Sequence, residues 1–241
     1  MALAERNGRL ALAARRSEEL DETARMVESR GGMALVVPTD VTDDDQVRAL
    51  VDKVIAEWGR IDIVVANAGQ YIRGPAVDVT MDDLEQSIDI NFFGTARVVL
   101  ASLPHMIEQG SGHIALMASI DGKKGLPLDA PYAASKFAMV GFGDVLRQEL
   151  RPQGVEVSTI LFGRVDTPFV DGMAFPVIGK AMPVDRAARA TVKAIERNRA
   201  EVILPHRAKP LVWIANLSPR LTDLALRYLN LEGWMVEEEE T

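Results

Sequence analysis

Apolar residues along the chain fall into two kinds of run, and the two kinds alternate. Arg9 to Ala14, Met33 to Val37, Ile61 to Ala66, His113 to Ala118 and Val155 to Phe162 are short, nearly continuous apolar stretches without in/out alternation. Such runs read as strands of a parallel sheet covered on both faces. Between them the period changes to that of a helix. Ser17 caps a polar helix running to about Arg30, which Gly31-Gly32 breaks. Thr42 opens a helix that repeats Val47, Leu50, Val51, Val54, Ile55 and Trp58 on one face and stops at Gly59. Thr80 opens another through Leu100, with Asn91 inside it. A helix carrying Tyr132 runs to about Leu150, and a further one spans Asp185 to Asn198 before the short run Val202 to Leu204.

This order predicts an α/β fold: a doubly wound, mostly parallel sheet with helices on both faces. Residues 1–206 form that unit, and 207–241 form a C-terminal helical extension with an acidic tail. Pro210 to Leu231 reads as one or two amphipathic helices bearing Leu211, Val212, Trp213, Ile214, Leu217, Leu221, Leu224, Leu226 and Leu229. They pack on their own domain, dimerise or lie on a membrane surface; the scarcity of basic residues favours the first two. Ligands of such sheets bind outside the carboxyl ends of the strands. Arg15, Asp40, Asn67, Ser119 and Gly163 all fall at those ends.

Composition narrows the partners. A net charge of −8 argues against nucleic acid or an anionic membrane, although Glu237 to Glu240 supply four of the negative charges. There is no cysteine, and the three histidines (His105, His113, His206) are scattered, which disfavours a metal cluster. No run approaches the ~18 apolar residues of a membrane span, and no signal peptide is visible. The expectation is a soluble cytoplasmic protein.

The candidate chemistry lies in Ser119 to Lys136, S-I-D-G-K-K-G-L-P-L-D-A-P-Y-A-A-S-K. Tyr132 and Lys136 are four apart at a helix start, so they share a face. Asp129 suits an N-cap and Pro131 the first turn. The positive helix end and an ammonium one turn away both favour the phenolate, which would make Tyr132 an acid-base for an alcohol oxygen. A plain reading of the same residues is a Tyr and a Lys sharing an exposed face. Ser119 would then satisfy a turn, and Asn91 its own helix.

From Arg9 to about Pro205 the chain resembles the short-chain dehydrogenase/reductase family. The resemblance rests on Asn67-Ala68-Gly69, on Asn91 in the following helix, on Ser119 at a strand end and on Y-A-A-S-K from Tyr132 to Lys136. It implies a Rossmann-type fold and hydride transfer between nicotinamide and a carbonyl or secondary alcohol. Tyr132 would be the acid-base, and Ser119 would bind the reacting oxygen. Lys136 would contact the nicotinamide ribose and depress the Tyr132 pKa, with Asn91 holding a water behind it. Asp40 with Val41 would meet adenine. Asn67, Ala68 and Gly69 would line the cofactor, and Gly163, Val165 and Thr167 would touch nicotinamide and phosphate. Phe162 departs from the proline common before that glycine. Where NAD enzymes place a carboxylate, this chain has Ala14 followed by Arg15 and Arg16, which suit a 2′-phosphate. NADP(H) is therefore expected over NAD(H).

The family opens with a strand and a T-G-x-x-x-G-x-G loop whose amides hold pyrophosphate. Neither occurs here, and Met1 to Gly8 reads like the end of the helix after that loop. The absent strand would lie between Arg9–Ala14 and Ile61–Ala66 and leave two edges unpaired. The expectation is a fragment or a start at the wrong methionine. If the short start is genuine, a non-catalytic, dehydrogenase-like binding or regulatory protein becomes the alternative. The loop from Pro168 to Pro183 carries Phe169, Met173, Phe175, Val177, Ile178 and Met182, suggesting a lid over an apolar substrate. Homodimers or homotetramers are expected by the same resemblance.

Overall fold

In the computed structural model, residues 1–170, 173–174, 181–229 and 234–235 are described. The elements run β1 (Arg9–Ala14), α1 (Ser17–Glu28), β2 (Met33–Pro38), α2 (Asp44–Trp58), β3 (Ile63–Ala66), α3 (Met81–Ile88), α4 (Gly94–Gln109), β4 (Gly112–Ser119) and α5 (Ala130–Leu150). They continue with β5 (Val155–Phe162), β6 (Met173–Ala174), α6 (Val184–Glu196), β7 (Glu201–Leu204), α7 (Lys209–Leu217), α8 (Pro219–Leu229) and β8 (Trp234–Met235). The α/β architecture matches the hydrophobic pattern.

The parallel strands form two sheets. β1 pairs with β2, and β3, β4, β5 and β7 form a four-stranded sheet in that order. β6 and β8 make a two-residue antiparallel pair. No described strand pairs with the remaining edges of β1 and β3. Burial follows the same division. Ile114, Leu116, Ile160 and Leu161 in β4 and β5 are fully enclosed, each contributing about 1.5–3 kcal/mol. β1 is mostly exposed, and β3 buries Val64 and Ala66 while leaving Ile63 and Val65 open. Coverage on both faces therefore holds for β4 and β5. It fails for β1 and β3, because the described helices cover only part of their surface.

The helix boundaries have local causes. α2 begins one residue beyond the expected cap: the Asp43 carboxylate accepts from Asp45 N and Gln46 N, and Gly59 closes the helix at φ 73°. Thr80 and Asp83 form a capping box at the start of α3. The single helix expected from Thr80 to Leu100 is two, joined by a π-helical turn from Asp89 to Phe93 that contains Asn91. The second continues to Gln109 through Pro104. Val37 from β2, Val64 from β3, and Val212 from α7 belong to one core with Leu116 and Leu161.

Candidate active site

Register brings the site together. Ser119 ends β4 opposite Phe162, which ends β5, and Phe162 is opposite Leu204 of β7. Gly163 follows, its N–H donating to Leu204 O at 2.6 Å. After Ser119 the chain makes a tight turn over residues 120–122 against α5. A Cβ on Gly122 would stand 2.6 Å from Lys136 O, so the turn requires glycine at that approach. Ser119 caps the turn, its Oγ accepting from Asp121 N at 3.1 Å and donating to Asp121 Oδ2 at 3.0 Å.

Tyr132 and Lys136 stand one turn apart on α5, both buried, with Lys136 Nζ 5.5 Å from the Tyr132 ring centroid. Ser119 lies near enough to act on the Tyr132 phenol. The expected depression of its pKa is not found. Burial pushes the phenol up, Asp121 and Asp129 add to the rise, and the neighbouring Ser119 hydroxyl opposes it. Burial dominates because the positive helix end is a partial charge only. Lys136 moves the other way, down to about 8, through burial offset by Asp121. Its Nζ donates to Met117 O at 3.0 Å.

Asp129 occupies the N-cap position of α5 yet makes no side-chain cap bond. Its carboxylate instead accepts from Tyr71 Oη at 2.8 Å and pairs with Arg73 Nε at 3.2 Å. The Tyr71 ring meets Tyr132 edge-on at 4.8 Å and stacks on Phe169 at 5.5 Å. Asn91 is fully buried. Its Nδ2 donates to Gln70 O, Ser87 Oγ and Ser135 Oγ, and its Oδ1 accepts from Gln70 N. The amide thus clamps the loop after β3 to α5. A Cβ on Gly69 would meet its Oδ1 at 2.9 Å.

The remaining expected residues lie along the strand ends. Asn67, Ala68 and Gly69 are exposed after β3. Asp40 Oδ1 accepts from Thr42 N and Thr42 Oγ1, and the Thr42 bonds hold its carboxyl below the usual range, with Arg15 contributing charge. Val41 packs where a Cβ on Gly94 would be 2.6 Å from its Cγ2. Arg16 pairs with Glu19 at 2.8 Å. Thr167 Oγ1 donates to Val165 O at 3.3 Å, and Val165 forms a bridge with Met182. Of the lid residues, Phe169 and Met182 are described; Phe175, Val177 and Ile178, and the side chain of Met173, lie outside the described residues, as do Leu231 and Glu237 to Glu240.

Sequence reasoning passed over Tyr71, Arg73, Asp121 and Arg164. Asp121 had a signal, a carboxylate two residues after the serine. The other three lie in loops whose course only the tertiary structure gives.

A nicotinamide dinucleotide meets one specific fit. An ammonium carries three N–H groups, and among the described residues Met117 O takes one from the buried Lys136. Ribose hydroxyls would satisfy the others. At the strand ends, Arg15 and Asn67 to Gly69 are exposed and Asp40 is half-buried. The pyrophosphate-binding glycine motif does not occur in the 241 residues.

The family model for short chain dehydrogenase matches residues 1–174. Ketoacyl reductase HetN of Nostoc sp. strain PCC 7120 is 29% identical over 95% of this chain and 83% of its own length. The uncharacterized oxidoreductase YxnA of Bacillus subtilis is 30% identical over 91% of this chain, which spans 65% of that relative. The uncharacterized NAD-dependent oxidoreductase MT0715 of Mycobacterium tuberculosis is 40% identical over 64% of this chain and 57% of its own. Among solved structures, an alcohol dehydrogenase from Thermococcus sibiricus complexed with 5-hydroxy-NADP superposes with a TM-score of 0.77 at 25% identity. The match covers 84% of this chain and 88% of that one.

Proposed function

Since the chain belongs to the short-chain dehydrogenase family of NAD(P)-dependent oxidoreductases, we propose that it interconverts a carbonyl and a secondary alcohol, with Tyr132 as acid-base. The observation that carries this reading is the convergence of Ser119, Tyr132 and Lys136 at one buried point where β4 meets α5. The cofactor would supply or accept the hydride. The chain's own residues manage the proton. Tyr132, kept protonated at neutrality by burial, donates to a carbonyl oxygen in reduction. Lys136 holds the ribose and keeps a positive charge beside the phenol, and Ser119 orients the reacting oxygen. Asn91 fixes the loop that lines the cofactor rather than meeting the substrate.

NADP(H) is favoured over NAD(H). Arg15 acts at the end of β1 and its charge reaches Asp40, and guanidinium suits a 2′-phosphate. The nucleotide in the Thermococcus structure supports this choice; the name of the mycobacterial relative points to NAD. An apolar substrate is supported by Tyr71 and Phe169 beside Tyr132. Homo-oligomer formation is supported by the exposed apolar residues Phe93, Leu100, Phe137 and Val145 on the π turn, α4 and α5.

Tyr132→Phe is the direct test. Loss of NADPH-linked turnover with retained nucleotide binding supports the proposal. Turnover unaffected by the substitution, or wild-type protein that binds nucleotide without turnover on any carbonyl, would favour a dehydrogenase-like binding protein instead.

A further inference from the structure

Tyr71 belongs to none of the motifs that mark the site, yet the fold fixes its side chain there at several points. Its Oη donates to Asp129 Oδ1 at 2.8 Å, and the same oxygen pairs with Arg73 Nε at 3.2 Å. The Arg73 guanidinium also stands 5.7 Å from the Tyr71 ring centroid. The backbone is held on either side. Asn91 bonds both backbone groups of Gln70, and Gly74 N donates to Leu128 O at 2.8 Å. Asp129 is 3% exposed, and a carboxylate so enclosed keeps its partners because losing one leaves a buried charge less compensated. The Tyr71 ring is therefore a fixed surface.

That surface adjoins the reacting phenol. Tyr71 meets the Tyr132 ring at 4.8 Å and an interplanar angle of 77°, the edge-to-face arrangement that ring quadrupoles favour. On Tyr71 lies Phe169, nearly parallel at 16°, with centroids 5.5 Å apart, and Phe169 also meets Tyr132 edge-on at 6.0 Å. The two neighbours of Tyr132 are held differently. Tyr71 is tethered through its hydroxyl, whereas Phe169 has no polar group and is 40% exposed. No third ring fits between them as they stand, since it needs planes roughly 7 Å apart, twice the ~3.5 Å of carbon contact.

Resting on the hydride-transfer reading above, we propose that Tyr71 is the specificity-determining residue of this site and selects a ketone bearing an aromatic ring beside its carbonyl. The substrate ring takes the place of Phe169 on the Tyr71 face, which brings the adjoining carbonyl to Tyr132. Exchanging one stacked ring for another costs the site little. The contact that Phe169 gives up is regained with the substrate, and Phe169 turns toward solvent it already meets. A saturated ring of similar size displaces Phe169 without restoring the stack. Asp129 and Arg73 are positioning residues, acting through the Tyr71 ring alone.

The test compares acetophenone with cyclohexyl methyl ketone, a planar against a puckered ring, in NADPH-linked reduction by the full chain. The readout is the aryl-to-cyclohexyl ratio of kcat/KM, which a general loss of folded protein does not move. Tyr71→Leu should lower that ratio about 3- to 10-fold, the worth of an aromatic pair, through KM for acetophenone. Tyr71→Phe keeps the ring and gives up the tether, so it should retain the ratio while KM for both ketones rises. Phe169→Ala removes the ring to be displaced and should lower KM for both ketones at an unchanged ratio. An unchanged ratio in Tyr71→Leu, or a raised KM in Phe169→Ala, overturns the proposal. Phe169→Ala alters an exposed side chain, so it gives a reading even where Tyr71→Leu fails to fold. Binding of 4′-fluoroacetophenone in the presence of NADP+, followed by 19F NMR, should weaken in Tyr71→Leu and tighten in Phe169→Ala. Equal binding by all three chains overturns the assignment. Absence of wild-type turnover counts against hydride transfer alone, and the 19F arm then still decides the role of Tyr71.

Discussion

Asn91 and Gln70 exchange two hydrogen bonds: Gln70 N donates to Asn91 Oδ1 at 2.7 Å, and Asn91 Nδ2 donates to Gln70 O at 3.0 Å. The side chain thereby mimics a strand neighbour for the loop after β3, from within a π turn between two helices. Asn91→Ala leaves both Gln70 backbone groups and two serine hydroxyls short of a partner in the interior. The expected cost is about 2–4 kcal/mol of stability, with weakened nucleotide binding, because the loop proposed to line the cofactor loses its anchor. Urea unfolding and nucleotide titration of the variant check both. A wild-type midpoint would contradict the clamp.

Gly122→Ala separates packing from chemistry. The added Cβ would lie 2.6 Å from Lys136 O and 2.8 Å from Val140 Cγ2. Backbone cannot yield as a flexible side chain does, so the turn must lift away from α5, carrying Ser119 and Asp121 with it. We expect about 1–3 kcal/mol lost and turnover reduced at least ~10-fold through misplacement. Gly125→Ala is the control, since its nearest neighbour stands 3.5 Å away.

Arg73 and Asp129 form the most deeply enclosed ion pair among the described residues, their side chains 9% and 3% exposed. Arg73→Ala takes the ion-pair partner from the Asp129 carboxylate, which burial already raises, and leaves it the Tyr71 bond and the charge of Arg164. The expected loss is about 3–5 kcal/mol. Adding Asp129→Asn to Arg73→Ala should recover much of it, because the remaining amide no longer carries a buried charge. Chemical denaturation of the two variants gives the comparison; a double variant as unstable as the single would contradict this account.

How far this could be read in the sequence differs from one part to another. The continuous apolar runs of β4 and β5 announced their burial on both faces, and Thr42, Thr80 and Gly59 marked helix ends to within a residue. The division into two sheets follows from the absence of any described strand beside β1 and β3. The order of the site residues was legible because Ser119, Tyr132 and Lys136 lie within one turn and one helix face. The electrostatics were not. Tyr132 was expected to be lowered by Lys136 and the helix end, but burial and two carboxylates raise it. Asp129 looked like a cap because caps are a local matter, whereas its real partners, Tyr71 and Arg73, come from a loop far away in sequence.

Stability should carry the signature of Asp121 as pH changes. Its carboxyl titrates near 3.8 when unfolded and near 7 when folded. Between those values the folded state holds the extra proton, so stability falls as pH rises, on the order of 1.4 kcal/mol per pH unit. Above both values the penalty is complete. Lys136 acts oppositely above about 8, where the unfolded state holds the extra proton. Subtracting Asp121→Asn from wild type isolates the first group. The variant should be the more stable above neutrality and lose the slope between about 4 and 7; parallel curves would contradict the assignment.

The central claim is that this chain moves a hydride at a site built on Tyr132. NADPH deuterated at nicotinamide C4, one face at a time, should be supplied with 1-phenylpropane-1,2-dione and the product alcohol weighed by mass spectrometry. The account predicts deuterium on the carbinol carbon from one of the two labelled faces with the wild-type chain, and essentially none after Tyr132→Phe. Alcohol formed without deuterium from either face, or labelled equally by the Tyr132→Phe variant, would contradict it.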